Sequence, residues 1–333
     1  MSEPPVSRAK KHKQLPPARA GLHPKRLTEH PAGTPRLNGD LRDWILSRYP
    51  SIEADGLDQL FAAGDIVDAH ARPWSATAPA SVIRRGVWMY RPIPDEPAEP
   101  ISIPIVQRTN RWLIADKPHG LSIMPRGQYV AQTLTVALRR QERNDDIVTA
   151  HRLDLATAGL VLATLQPQYR RPYQQLFAER QVEKLYRVIA PVLPDHPLDP
   201  RISASPSSRW LRVRARIHKP PGAMRALFAD GEPNSETLIR QIGPARRVNG
   251  LDIATYEAKL VTGRTHQIRA HFAGLGAPIV GDSLFEGAEA APYDRESTGH
   301  FTDLQLLAYG LAFTDPVTGE SIHAESKRAL TLD

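Results

Sequence analysis

The sequence predicts an α+β protein, because segments of two hydrophobic periods are interleaved along one chain of 333 residues. Residues 211–217 alternate strictly, with Leu211, Val213, Ala215 and Ile217 on one side and Arg212, Arg214 and Arg216 on the other, as in a half-buried strand. Two other stretches follow helical spacing: Tyr169, Tyr173, Leu176 and Phe177 after Pro167, and Ile268, Phe272 and Leu275 within 265–275. The apolar run Leu160-Val161-Leu162-Ala163 reads as a further strand.

Residues 1–36 carry eight basic residues against two acidic ones, so +6 of the chain's formal +7 lies in this segment. Its prolines and charge predict a solvated, disordered arm that can add salt-sensitive affinity for phosphates. Residues 37–91 predict a small module of two helices and some strands. Leu41, Trp44 and Ile45 share one helical face, Leu57, Leu60 and Phe61 another, and Gly64 stops the second helix. Pro92–Pro104, with five prolines and three acids, is expected to be an irregular linker. The main domain is 105–333. In it Pro167 opens a helix, Lys184–Ala190 is a strand, Pro220–Gly250 reads as connections with an extra hairpin, and Gly276 caps the helix of 265–275.

A pI near 9.7 invites a nucleic-acid partner, although the body outside the arm is nearly balanced. The absence of cysteine removes disulfides, thiolate nucleophiles and zinc–thiolate sites, which fits a cytoplasmic protein. No apolar run approaches the roughly eighteen residues that span a bilayer, so no membrane association is expected. No metal is expected either: His266 and His271 are five apart, on different helical faces, with no evident third ligand. A monomer is the expected state.

The most informative segment is His151-Arg152-Leu153-Asp154-Leu155-Ala156-Thr157-Ala158-Gly159, which sets one carboxylate beside a cation in an apolar run. A charge flanked by Leu153, Leu155 and the 160–163 strand sits at a core edge, where ionisation requires a partner; that combination reads as a reactive carboxylate. Arg152 or another arginine could supply the cation. In the 265–275 helix, His266 and Arg269 are three apart and project together, placing Arg269 to meet a carboxylate across a cleft.

This segment resembles the first signature of the RluA family of pseudouridine synthases, His-Arg-Leu-Asp, two variable residues, then Thr-Ser-Gly, with Ala158 in place of the serine. Four further segments are similar to family motifs in the same order. They are Lys117-Pro118-His119-Gly120-Leu121, Lys184-Leu185-Tyr186, Gly263-Arg264-Thr265-His266-Gln267-Ile268-Arg269-Ala270-His271, and the closing Leu306–Tyr309 with Phe313–Glu320. The resemblance implies a catalytic domain with a mixed, mainly antiparallel sheet flanked by helices, preceded by a small degenerate αL RNA-binding-like module. The usual basic positions of that module read Glu53, Asp55 and Asp65 here, and Ser235-Glu236-Thr237 stands where the family has Ala-x-Thr.

The implied activity is isomerisation of uridine to pseudouridine in structured RNA, ribosomal RNA being expected before transfer RNA, with no cofactor. Asp154 is the implied catalytic carboxylate, Arg269 the cation that keeps it charged, and Tyr186 the ring on which the uracil stacks. The target base must be flipped out of its stack, and Arg152 is the arginine implied to fill the vacated space. His151, Lys184, Arg264, His266 and the row Arg212, Arg214 and Arg216 are candidate RNA contacts. Two rivals stand beside this reading: a catalytically idle RNA-binding protein of the same fold, and a hydrolase, which would need a second acid near Asp154.

Overall fold

In the computed structural model the described residues are 15–28, 38–90, 101–125, 130–207, 209–248, 250–285 and 304–331. They form two compact units that divide the chain near residue 100, with 130–131 grouped with the first.

The first unit contains β1 (Lys25–Leu27), α1 (Leu41–Arg48), α2 (Ala54–Ala62), β2 (Ile66–Val67) and β3 (Val87–Met89), with the strands in the order β1-β3-β2. Asp40 caps α1 by accepting from the Asp43 amide at 2.8 Å. The two expected helical faces form one core: Leu41, Trp44 and Ile45 are buried together with Leu57 and Leu60. The irregular arm expected over 1–36 is corrected at β1, which pairs with β3 and buries Leu27. Average composition hid one apolar residue able to join a core. The basic neighbours of Leu27 lie over aromatic rings, Lys25 over Tyr49 and Arg26 over Trp88. The remaining basic residues of the arm, other than Arg19, lie outside the described residues.

The second unit begins with β4 (Ile105–Arg108), β5 (Trp112–Lys117), α3 (Leu134–Glu142), β6 (Val148–Thr149), β7 (Ala158–Thr164), α4 (Pro167–Ala178) and β8 (Glu183–Pro191). It continues with β9 (Ser203–Ser207), β10 (Trp210–His218), β11 (Leu227–Ala229), β12 (Ser235–Gln241), β13 (Arg246–Val248), β14 (Leu251–Leu260), α5 (Gln267–Gly274), β15 (Leu306–Thr314) and β16 (Ser321–Glu325). One sheet runs β11-β10-β12-β14-β8-β15-β7-β5-β4, and β15 with β7 is its parallel pair. Of the expected linker, 92–100 lies outside the described residues, whereas Ile103 is buried and its amide donates to the Gln141 side chain. Pro220–Gly250 is also corrected. Ser235–Gln241 is an interior strand between β10 and β14, its polar composition being compatible with the sheet because its hydroxyls find partners.

The departures at 235 and 158 have a packing explanation. Ser235 Oγ donates to the Ala215 carbonyl at 2.6 Å and contacts His271 Nε2 at 3.0 Å, while His271 Nδ1 lies 2.9 Å from Thr237 Oγ1. Since the serine proton is already used, Nε2 is the donor, and burial keeps the imidazole neutral at pH 7. Removing the hydroxyl strands a buried N–H, so Ser235→Ala is expected to lower stability by about 1–3 kcal/mol in urea unfolding. Ala158 is fully buried beside Leu307 and Ile189, where an apolar side chain fits and a hydroxyl would need a partner.

Burial holds His271 at about 3, and His151 likewise at about 3, burial again being the largest cause and the charge of Lys184 the next. Each value lies below the 6.5 of a free imidazole, so the unfolded chain binds more protons between these limits. Stability from these groups is complete above pH 6.5 and is lost as pH falls towards 3. For His271 alone the slope approaches about 1.4 kcal/mol per pH unit. Urea unfolding at pH 7 and pH 5 checks this, and equal midpoints at both would refute it.

Candidate active site

The Asp154 loop spans the gap between β6 and β7 and is pinned from several directions. Ala150 N donates to Leu162 O, His151 Nε2 accepts from Leu162 N at 3.0 Å, and Thr157 N donates to Asp154 O. His119 Nδ1 lies 2.6 Å from Ala156 O. Beneath it the fully buried Lys117 directs Nζ to the carbonyls of Pro118, Leu121 and Leu155, matching the three protons of an ammonium. Burial lowers this lysine to about 7, with Arg328 adding to the shift and Asp154 opposing it. Lys117 and His119 were visible in the opening Lys-Pro-x-Gly segment, but nothing in their spacing shows that they hold the loop of Asp154.

Across the cavity, the turn 263–265 leads into α5. Gln267 is buried and saturated: Oε1 accepts from Thr262 Oγ1 and Arg264 N, and Nε2 donates to Glu236 O and Thr237 Oγ1. This fixes His266 at the helix N-cap in the left-handed conformation, φ 56°, a strained placement for a residue with a Cβ. From there His266 Nε2 lies 3.8 Å from Asp154 Oδ1, and Arg269 Nη1 lies 3.7 Å from Asp154 Oδ2. Burial lowers His266 to about 4, Arg269 adding to the shift and Asp154 opposing it, so the ring facing the carboxylate is neutral at pH 7.

The sequence reading missed Asp282. Arg269 Nε and Nη2 reach its two oxygens at 2.8 and 2.6 Å, a buried bidentate pair, which leaves Nη1 as the end turned to Asp154. Asp282 also accepts from Leu284 N, so this second acid is engaged and does not face the reactive position as a free hydrolytic partner. The Gly281-Asp282 step lies outside the helix whose spacing was analysed, which is why no pattern exposed it.

Asp154, Tyr186 and Arg269 line one cavity of about 330 Å³, at the small end of the roughly 300–1,000 Å³ typical of ligand sites. Arg152, His151, Lys184, Arg264 and His266 line it too. Burial, reinforced by the negative Asp154, raises the Tyr186 phenol above its ordinary range, so its proton is retained. Burial lowers Lys184, the nearby Arg180 acting in the same direction. Arg152 is exposed at the cavity edge.

Two groups of candidate contacts need correction. His151 stacks on Phe177 at 4.2 Å with Nε2 occupied by the Leu162 amide, so it is an anchor of the loop whose ring forms cavity wall. Phe177, part of the amphipathic stripe of α4, forms wall beside it. The row Arg212, Arg214 and Arg216 is on the wrong side of the sheet. Cross-strand partners share a face, and Leu211, Ile239, Ala258 and Tyr186 are in register on the side that packs against α5. The arginines alternate with Leu211, Val213, Ala215 and Ile217 and therefore point away from the cavity. Two of them approach one carboxylate, Arg212 at 3.4 Å and Arg214 at 3.7 Å from Glu236.

A protein-family signature described as RNA pseudouridylate synthase matches residues 111–274, from the start of β5 to the end of α5. Fold, cavity and signature together define an RNA-modifying isomerase. An uncharacterized RNA pseudouridine synthase of Synechocystis is 30% identical over 247 residues, covering 71% of this chain and 74% of its own. The ribosomal large subunit pseudouridine synthase D of Xanthomonas campestris is 28% identical, covering 84% of this chain and 82% of its own. The tRNA pseudouridine(31) synthase of Saccharomyces cerevisiae is 29% identical, covering 57% and 48%. The chain belongs to the RluA family of RNA pseudouridine synthases. Among the described residues, no helix is long and apolar enough to cross a membrane.

Proposed function

We propose that this enzyme isomerises uridine in a structured ribosomal RNA, with Asp154 as the reacting carboxylate. The carrying observation is that Asp154, Tyr186 and Arg269 converge on one cavity, with Arg269 Nη1 3.7 Å from the carboxylate. The C1′–N1 bond of the target breaks, the uracil turns, and a C1′–C5 bond forms as the C5 proton leaves and N1 takes up a proton; no electrons leave the system. Asp154 assists either by attack on C1′ or by taking a proton from the sugar. Tyr186 offers a flat ring to the uracil and a phenol that keeps its proton. Arg269 turns a guanidinium end to one oxygen of this carboxylate, and neutral His266 lies 3.8 Å from the other.

Arg152, exposed and hinged on the same loop as Asp154, fills the place of the extruded uridine. Lys184 and Arg264 at the cavity wall meet phosphate. The arginine row of β10 has no part in this. The preference for ribosomal RNA rests on the longer two-way coverage of the ribosomal relative. In the deciding experiment, purified enzyme is incubated separately with unmodified ribosomal RNA and with a pool of unmodified transfer RNAs, and new pseudouridines are mapped. Conversion of a ribosomal uridine is expected. Conversion confined to the transfer RNA pool would overturn the target while leaving the chemistry intact.

A further inference from the structure

A second, larger cavity of about 720 Å³ lies on the same unit, between the end of α5 at Ala273 and Gly274, the 198–201 loop and β11. Its wall carries the rings of Phe228 and Phe285, the guanidinium groups of Arg201 and Arg225, and the carboxylate of Asp230. One side chain separates it from the catalytic cavity. Phe285 presents its ring 5.5 Å from the Arg269 guanidinium and 6.1 Å, edge-on, from the His266 ring, and it also lines the second cavity. The two are joined again where the Ala226 amide donates to His266 Nδ1 at 3.4 Å. We infer that this cavity is a second nucleotide subsite, taking the base of a nucleotide that flanks the flipped uridine in the same RNA strand.

This inference rests on the reading that the first cavity holds the target uridine. Adjacent nucleotides of an opened strand must leave a uridine pocket together, so a neighbouring cavity one aromatic ring away is within reach of the next base. The chemistry suits single-stranded RNA, because aromatic faces stack any base and guanidinium groups meet the phosphates between them. The cations are not equivalent. Arg201 is held by Asp199 through two short bonds, 2.9 and 2.6 Å, whereas Arg225 donates to the Leu284 carbonyl and lies over the Phe285 ring. Arg225 is thus the phosphate contact. Gly274 allows the Phe228 ring to lie against the helix backbone, since a Cβ there would come within 2.8 Å of that ring. Asp230, exposed at the rim, accepts hydrogen bonds only, so it meets an N–H on the edge of the flanking base.

The test uses the full chain and a stem-loop RNA containing the mapped target uridine, together with versions made abasic at the preceding or the following nucleotide. For wild type, one abasic position is expected to raise KM about tenfold, within the range for loss of one stacked base. Phe228→Leu, which keeps the apolar packing and removes the ring, is expected to raise KM by a similar factor on the intact RNA and to add nothing on that abasic RNA. Asp230→Asn, a surface change that does not threaten folding, is expected to raise KM on the intact RNA and to change nothing on that abasic RNA. Unchanged KM in both variants, or effects of Phe228→Leu and the abasic site that multiply, would overturn the subsite. Failure of the wild type to convert any RNA while still binding it would instead overturn the reading of the first cavity.

Discussion

Asp154→Asn is expected to lower pseudouridine formation by about 10³-fold or more, with RNA affinity kept within about twofold. The asparagine is isosteric and retains an oxygen for Arg269 and His266, so the loop held by Lys117, His119 and the Leu162 backbone has no reason to move. What is lost is the negative oxygen that must act at the sugar. Tritium release from RNA labelled at uridine C5 reads the reaction, because the new C1′–C5 bond displaces that hydrogen. Filter binding reads affinity on the same RNA. Equal and substantial release from both proteins would show that the carboxylate is not the reacting group, whereas no release from wild type would restore the idle RNA-binding alternative. Joint loss of binding and release would show that Asp154 holds the fold or the RNA rather than performing the chemistry.

Much of this site was legible because its parts sit in short contiguous segments with helical or strand spacing. Arg269 lies on α5 and His266 at its N-cap, and both do face one carboxylate, although His266 reaches it through a left-handed turn rather than through helical spacing. Alternation also gave the burial of Val213, Ala215 and Ile217 correctly. The same alternation could not say which face of the sheet carries the cavity, and that is where the reading of Arg212, Arg214 and Arg216 failed. A strand has two faces of equal standing until its neighbours are known; here the register through Ile239 and Ala258 to Tyr186 decides. Asp282 was illegible for a related reason. Its partner lies thirteen residues back on a helix, and no local period connects a loop carboxylate to a helical guanidinium. His151 is a candidate RNA contact by sequence, yet its ring nitrogen Nε2 is occupied by a backbone amide, a partner no local pattern shows.

Arg269 carries two roles that a single substitution confounds, and paired substitutions separate them. Its side chain and that of Asp282 are both buried, with Asp282 fully so. Arg269→Met leaves a buried carboxylate whose remaining donor among the described residues is the Leu284 amide, and is expected to cost about 3–5 kcal/mol of stability. Arg269→Met combined with Asp282→Leu removes both charges and keeps apolar volume, so stability should return to within about 1–2 kcal/mol of wild type. Activity should not return with it. The guanidinium end facing Asp154 is missing in both proteins, and loss of one preorganised charge contact at a reacting centre is worth roughly 10²-fold in rate. Urea unfolding and single-turnover tritium release, measured on wild type, the single variant and the double variant, read the two roles independently. Recovery of both quantities in the double variant would reduce Arg269 to a scaffold and require another cation, for which Lys117, bonded to Leu155 O beneath the loop, is the candidate.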